Sequence, residues 1–321
     1  MGTARDPPAR MEPVVGSLPD DLQAQLEAEL DALAKLAGTE GVAPDYLRFC
    51  ERVARSQAAV RAATRAAPRA DEAETGTTPP TARRLARGAV AFDLELLRDL
   101  LRGLASGTGA AAPAEDQLGI LTEAADGKPE LLRRLVTAIV LDDDARFIQA
   151  TAQRLGVPAP ALLFIGRLLA APFVTETRSR RGPVPELDAR DLEAPDAGRC
   201  PTCASPPVLA VLSRDAGGRH LVCGVCGDSW RVPRLMCTAC GTRDQSRLGM
   251  LYVHETDARW VETCDACGRY LKTVDERRLP EDYRFVQRAE DVASLYLDLM
   301  AEDAGYVRPD YYPSLLVQDP T

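Results

Sequence analysis

Four Cys-x-x-Cys pairs between residues 200 and 267 constrain this chain more than any other feature. The pairs are Cys200/Cys203, Cys223/Cys226, Cys237/Cys240 and Cys264/Cys267. In such a turn the second thiolate returns beside the first, so both can bind one metal ion. Two pairs together supply the four sulfur ligands of a tetrahedral site. The sequence therefore predicts two metal sites, each built from four cysteines.

The spacing between the pairs indicates which pairs belong together. Nineteen residues separate Cys203 from Cys223, and twenty-three separate Cys240 from Cys264. Both intervals are typical of two metal-binding knuckles joined by a hairpin, although the second is slightly long. Residues 227–236 are too few for a full hairpin and favour a connector. We therefore expect one site from Cys200, Cys203, Cys223 and Cys226, and another from Cys237, Cys240, Cys264 and Cys267.

The residues around the pairs agree with metal-binding knuckles. Gly227, Gly241 and Gly268 directly follow the second cysteine of their pairs, where a positive φ turns backbone N–H groups towards sulfur. Ala204 holds this place in the first pair, so we expect that knuckle to be less regular. Between the pairs, alternating apolar residues and polar turns predict hairpin strands.

Disulfide bonds and redox chemistry are the alternatives for these cysteines. The first residues lack the apolar core of a signal peptide, which predicts a cytoplasmic protein whose cysteines stay reduced. A thioredoxin-like pair needs a βαβ context that the pattern does not show. Metal binding is the remaining interpretation. Four thiolates accept both zinc and iron, and the composition by itself favours zinc.

The rest of the chain predicts an α+β protein with a mainly helical N-terminal domain. Residues 1–18 read as disordered, 19–175 as helices with apolar residues at a 3.6 period, and 176–199 as a linker. The cysteine module spans 200–280, and 281–321 form a final helix and tail. One face of that helix is predicted to carry Val292, Leu295, Tyr296 and Leu299. The most apolar stretch, 159–173, is too short to cross a membrane.

Charge argues against a nucleic-acid partner. The chain carries a formal net charge of −9, and the module has eleven Arg and Lys against nine Asp and Glu. Two sites with four thiolates and a divalent ion would add further negative charge. A phosphate backbone needs a basic surface, so a zinc-ribbon nucleic-acid or regulatory module is disfavoured.

No catalytic constellation stands out, and a shell of four thiolates leaves no metal position open to substrate. We therefore predict that the chain is not an enzyme. The connector carries Trp230, Arg231 and Arg234, residue types that are common at binding hot spots. They could equally be a tryptophan packed over a hairpin and two solvated arginines. An assembly chaperone and a rubredoxin-like electron carrier both remain compatible with these residues.

The motifs "CPTCASPP", "HLVCGVCGDSWRVPRLMCTACG" and "ETCDACGRYLKT", followed by "EDVASLYLDLMAEDAGY", resemble the formate dehydrogenase accessory protein FdhE family. The similarity covers about residues 200–308 and is weaker at "DYLRFCERVARSQ". It implies a cytoplasmic maturation factor that binds the catalytic subunit of a respiratory formate dehydrogenase. It further implies a helical N-terminal domain and two rubredoxin-like iron sites, with zinc possible in their place, held by the two sets of cysteines given above.

Overall fold

A computed structural model describes residues 18–67, 90–106, 114–141, 144–180, 197–215, 217–254 and 257–308. The N-terminal part contains seven described helices. They are α1 (Asp20–Ala34), α2 (Pro44–Ala66), α3 (Leu94–Ala105), α4 (Ala114–Gly127), α5 (Glu130–Val140), α6 (Ala145–Leu155) and α7 (Ala159–Ser179). The predicted helical N-terminal region and α+β fold class are confirmed.

Local sequence signals explain where these helices begin and end. Asp93 and Asp144 cap α3 and α6 by accepting the backbone N–H groups of Leu96 and Phe147, each at 3.0 Å. The C-cap of α6 is Gly156, whose φ of 66° is the left-handed conformation that favours glycine. In α3 the leucines recur at helical spacing, and Leu97, Leu100, Leu101 and Leu104 are buried.

Helix α7 is the central helix of the N-terminal part. It is longer than the apolar run seen in the sequence, and its 21 residues have the length and composition of a membrane span. It packs against α2, α5 and α6, and 61% of its most apolar window is buried inside the protein. Burial on several sides accounts for its apolar composition, as expected of the core helix of a bundle.

The cysteine-rich part forms one six-stranded sheet in the order β3-β2-β1-β6-β5-β4. The strands are β1 (Pro207–Leu212), β2 (Arg219–Cys223), β3 (Ser229–Val232), β4 (Leu248–Leu251), β5 (Arg259–Cys264) and β6 (Arg269–Asp275). The hairpins β1–β2 and β5–β6 are antiparallel, as are the pairs β2–β3 and β4–β5. Among the named strands of the described residues, only β1 and β6 pair in parallel, with Ala210 opposite Thr273.

The sheet contains two equivalent ribbons that lie side by side. Strands β1, β2 and β3 follow the first knuckle of the first ribbon, and β4, β5 and β6 occupy the same places in the second. Since β1 of the first ribbon pairs in parallel with β6 of the second, the two ribbons point the same way. The sequence repeat of cysteine pairs therefore corresponds to a side-by-side structural repeat, which leaves β3 and β4 at the two edges of the sheet.

The C-terminal region departs from the single helix predicted from the sequence. It contains two short helices, α8 (Gln287–Ala293) and α9 (Leu295–Asp303), which meet at Ser294 in a non-helical conformation. The break changes which residues face the core. Of the residues predicted to share one face, Val292 is buried, but Tyr296 and Leu299 are exposed, and Leu297 and Ala301 are buried instead.

The helical part and the first ribbon share one continuous core. The same cluster of buried side chains includes Leu169 and Phe173 of α7, the cysteines of the first group, and Trp230. The predicted linker, 176–199, begins inside α7, and most of it lies outside the described residues, as does the predicted disordered segment up to residue 17. The domain boundaries drawn from the sequence remain predictions.

Candidate metal centres

The structure brings the eight paired cysteines together in two groups of four. The first group is Cys200, Cys203, Cys223 and Cys226, and the second is Cys237, Cys240, Cys264 and Cys267. Within each group the sulfur atoms all lie within 4.8 Å of one another. The grouping is the one expected from the spacing of the pairs. Both groups could hold a metal ion.

The sulfur–sulfur distances match a tetrahedral metal site. In the first group Cys200 lies 3.5 Å from Cys226, and Cys203 lies 3.5 Å from Cys223. A tetrahedron with metal–sulfur bonds of about 2.3 Å has edges of about 3.8 Å, whereas a disulfide bond is about 2.05 Å long. All nine cysteines are free thiols. The arrangement fits a metal ion held by four thiolates and does not fit disulfide bonds.

The second group has the same geometry. Cys237 lies 3.6 Å from Cys267, and Cys240 lies 3.8 Å from Cys264. Its first pair stands on the turn before β4, and its second pair joins β5 to β6. Each group is therefore held by two knuckles at the same end of its ribbon.

All four knuckles share one backbone conformation. The residue after the second cysteine has a positive φ, which is 58° at Ala204, 72° at Gly227, 75° at Gly241 and 65° at Gly268. Its N–H donates to the carbonyl of the first cysteine of the pair, over distances of 2.8–3.2 Å. The expectation of a less regular first knuckle is therefore wrong. Ala204 keeps the knuckle geometry, and the cost is an alanine in the left-handed region.

Within each group, the pKa values of the thiols are shifted in opposite directions. Burial raises the pKa of Cys200 above its ordinary value, and hydrogen bonds from the neighbouring thiols lower that of Cys203. In the second group a hydrogen bond from Cys267 lowers the pKa of Cys237 to about 5, while that of Cys267 is raised. A single thiolate disfavours the ionisation of its neighbours at this distance. A metal ion would allow all four thiols of a group to ionise, so the donor set fits it.

A buried carboxylate fixes the first group to the helical part of the protein. Asp228 is only 1% exposed, and it accepts hydrogen bonds from Arg178 of α7 and from Thr202 inside the first knuckle. Its own carbonyl accepts the N–H of Cys223 at 2.8 Å. Asp228 therefore links α7 to both knuckles of the first group. The sequence offers no periodic signal for this role, because Asp228 lies in a turn.

A second buried charge joins the two ribbons. Arg219 of β2 is 2% exposed, forms a salt bridge with Glu262 of β5, and donates to the carbonyls of Pro233 and Met236 at 3.1 Å. Arg219 thereby fixes the connector between Cys226 and Cys237 against both ribbons. The sequence signal for this role is a charged residue at the start of the apolar run "RHLVC".

The connector does not present all three of its predicted contact residues. Trp230 lies in β3, is 3% exposed, and donates its indole N–H to the carbonyl of Ala197 at 3.1 Å. It is a core residue beside the first group, which fits the packed alternative and not a role in partner contact. Arg231 and Arg234 are exposed, and so is Leu235, with 53% of its surface accessible.

The ninth cysteine and the two histidines of the chain lie outside both groups. Cys50 is buried on α2, and burial raises the pKa of its thiol to about 11. His220 lies in β2, where its ring nitrogen contacts the carbonyl of Gly218, and His254 is exposed after β4. None of the three belongs to a described group of potential metal ligands.

Comparison with known proteins gives each cysteine group a family counterpart. Residues 199–234, which contain the first group, match the family described as "FdhE, central domain". Residues 235–315, which contain the second, match "FdhE, C-terminal domain". Over these two adjoining segments, residues 199–315, the chain is similar to the FdhE family.

Individual relatives agree over the same region. The "Protein FdhE homolog" of Aquifex aeolicus is 33% identical over 112 residues, which cover 34% of this chain and 38% of that protein. The "Protein FdhE" of Escherichia coli O1:K1 is 36% identical over 122 residues, or 36% of this chain and 37% of the relative. The match therefore spans less than two fifths of these relatives.

The fold extends further than the sequence similarity. The crystal structure of the FdhE protein from Pseudomonas aeruginosa superposes with a TM-score of 0.55 over 95% of this chain and 99% of that one, at 23% identity. This likeness shows that the chain shares the FdhE fold, including the helical N-terminal region that lies outside the family matches.

Proposed function

We propose that this chain is a cytoplasmic accessory protein for formate dehydrogenase that binds the immature catalytic subunit of that enzyme. The observation that carries the proposal is the match of both FdhE domains to adjoining segments that each complete one group of four cysteines. Each group would hold one metal ion, iron by the family resemblance, with zinc as the possible replacement.

The chemistry of the two groups supports binding rather than catalysis. Four thiolates fill every position of a tetrahedral ion, so a bound metal could not polarise a substrate or activate water. Such a metal instead fixes two knuckles and the ends of the strands that they join. The protein would then act through the surfaces that this scaffold holds in place.

Part of the contact surface would be the exposed side of the connector. Arg231 and Arg234 are exposed, and Leu235 places an apolar side chain beside Arg234. Arginine next to an exposed apolar residue is typical of residues that dominate protein interfaces. Since Arg219 holds the connector through its backbone carbonyls, these side chains can be changed without removing that support.

The experiment is a pull-down of the tagged chain with its formate dehydrogenase catalytic subunit, produced without and with its cofactors. We expect the wild-type protein to retain the immature subunit, and the Arg231→Ala/Arg234→Ala variant to lose at least tenfold in affinity while keeping both metals. The matched control changes two exposed arginines of the helical part, Arg48→Ala/Arg154→Ala. Absence of binding to either form of the subunit would refute the proposed function.

One observation favours electron transfer as a second candidate function. Cys240 is exposed, so an iron ion in the second group would lie close to the protein surface, where a redox partner could approach it. Iron-loaded protein would then be reduced and reoxidised reversibly, and a redox-inert zinc or gallium form would lose activity in formate-dependent respiration. An accessory protein that acts by binding alone would retain activity in the zinc form.

A further inference from the structure

The two cysteine groups differ strongly in their access to solvent. All four cysteines of the first group are at most 3% exposed. In the second group Cys264 is 1% exposed and Cys237 is 8% exposed. Cys267 is partly exposed, and Cys240 is exposed. The two groups have the same ligands and the same knuckle geometry. The difference in exposure therefore comes from what packs around each group.

The first group is covered because α7 packs over its second knuckle. Arg178 near the end of α7 binds Asp228, and Thr175 donates to the carbonyl of Val225, between the two cysteines of the pair, at 3.4 Å. Trp230 of β3 belongs to the same buried cluster as these cysteines and donates its indole N–H to the carbonyl of Ala197. These contacts leave the sulfur atoms of the first group covered, with each cysteine at most 3% exposed.

The second group is open on the side of its first knuckle. Ala239 and Cys240 are exposed, and so are all residues from 243 to 247, which lead into the edge strand β4. The other knuckle is held by the chain that follows α9, where Val307 donates to the carbonyl of Gly268 at 2.8 Å and Tyr306 donates to Asp265 at 2.6 Å. The pair Cys264/Cys267 is therefore supported by the chain after α9, whereas Cys240 of the other pair faces solvent.

Access of this kind controls the exchange of a thiolate-bound metal. An incoming thiol or chelator must approach the metal while one thiolate leaves, so the rate depends on how accessible the leaving sulfur is. Cys240 can leave and be replaced without displacing any packed helix. In the first group the same step requires loss of the contacts of Arg178 and Trp230.

We propose that the two sites have separate roles, with the first a permanent structural site and the second an exchange site. At the second site a thiolate-binding metal ion, iron or zinc, would be loaded and withdrawn while the first ion stays bound. The leaving ligand is Cys240, the exposed cysteine of the second group. This inference goes beyond the proposed function, because it concerns metal exchange by the isolated chain.

The test follows zinc release from fully loaded, reduced protein into the coloured chelator 4-(2-pyridylazo)resorcinol. We expect one ion per chain to leave in a fast phase, and the second at least tenfold more slowly. Iodoacetamide added with the chelator, followed by peptide mapping, should label Cys237 and Cys240 during the fast phase and Cys200 and Cys203 only in the slow phase. This readout requires no variant and no partner.

Three variants show which cysteine group gives each phase of zinc release. Cys240→Ser should abolish the fast phase and leave the slow rate unchanged. Arg178→Met keeps all eight ligands but uncouples α7 from Asp228, so it should accelerate only the slow phase, whereas Arg133→Met on α5 should change neither. The proposal fails if both ions leave at one rate, if Cys200 is labelled before Cys240, or if Arg178→Met accelerates the fast phase. Binding of the formate dehydrogenase subunit does not enter this measurement, so each proposal can fail without the other.

Discussion

The strained alanine of the first knuckle gives a quantitative prediction. Ala204 has a φ of 58° at the position where the other three knuckles have glycine. The left-handed conformation costs an alanine about 1–2 kcal/mol, which glycine avoids. Glycine also gives the unfolded chain more conformational freedom, which lowers the free energy of unfolding by about 0.4–1 kcal/mol. We therefore expect Ala204→Gly to stabilise the metal-bound module by about 0.5–1 kcal/mol, the difference between these two effects.

Gly227→Ala is the matched control, because it makes the opposite change in the same metal group. A Cβ added at Gly227 would meet no atom within 4 Å, so its cost is conformational and not steric. We expect this variant to lose about 0.5–1 kcal/mol, and the double variant to lie close to the wild type.

Tryptophan fluorescence during urea unfolding of the zinc-loaded protein measures this effect. The two tryptophans of the chain, Trp230 and Trp260, lie in β3 and β5, so the signal reports the sheet and not the helices. With a slope of about 2 kcal/mol per molar urea, the midpoint should move by about 0.25–0.5 M, upwards for Ala204→Gly and downwards for Gly227→Ala. Destabilisation by Ala204→Gly, or no change in Gly227→Ala, would refute the assignment of strain to this knuckle.

Three further predictions concern buried charges and the metals. Lys272 is 1% exposed and forms salt bridges with two carboxylates. In urea unfolding, Lys272→Met should therefore destabilise the fold by about 3–5 kcal/mol. The control Lys35→Met removes an exposed salt bridge and should cost under about 1 kcal/mol. Hydrogen bonds from Arg277 lower the pKa of Asp275 below its value in the unfolded chain. The contribution of Asp275 to stability is therefore present above about pH 4 and is lost on acidification. The Asp275→Asn variant should flatten this part of the curve of unfolding free energy against pH. Removing both metals with a strong chelator should abolish hydrogen-exchange protection in the strands, while α2 and α5 keep theirs; unchanged protection in β5 would contradict this coupling.

The sequence predicted the metal groups well because their information is local. A Cys-x-x-Cys turn fixes its own geometry, and the lengths of the intervening segments decide which turns can meet. The parallel pairing of β1 with β6 was not predicted, because it joins strands that are far apart in the chain and have no hairpin between them. Alternation of apolar residues identifies a strand but not its neighbour in a sheet.

Two side-chain orientations could not be decided from the sequence. For Trp230, a partner contact and a packed tryptophan were equally compatible with the residue types. In β3 alternate residues face opposite sides, and Trp230 faces the core. The face assigned to the last helix was wrong beyond Ser294, whose side chain donates to the carbonyl of Glu290 and lies where α8 ends. A helical period cannot be continued across a break that the sequence does not mark with glycine or proline.

Native mass spectrometry of the intact, reduced chain tests the central claim most directly, because it counts the metal ions held by the folded protein. The claim is that two groups of four cysteines each hold one ion in an FdhE fold. The native mass should exceed the mass of the denatured chain by two metal ions, and by one ion in a Cys240→Ser variant. A folded, reduced protein that carries one ion or none in its wild-type form would contradict the account.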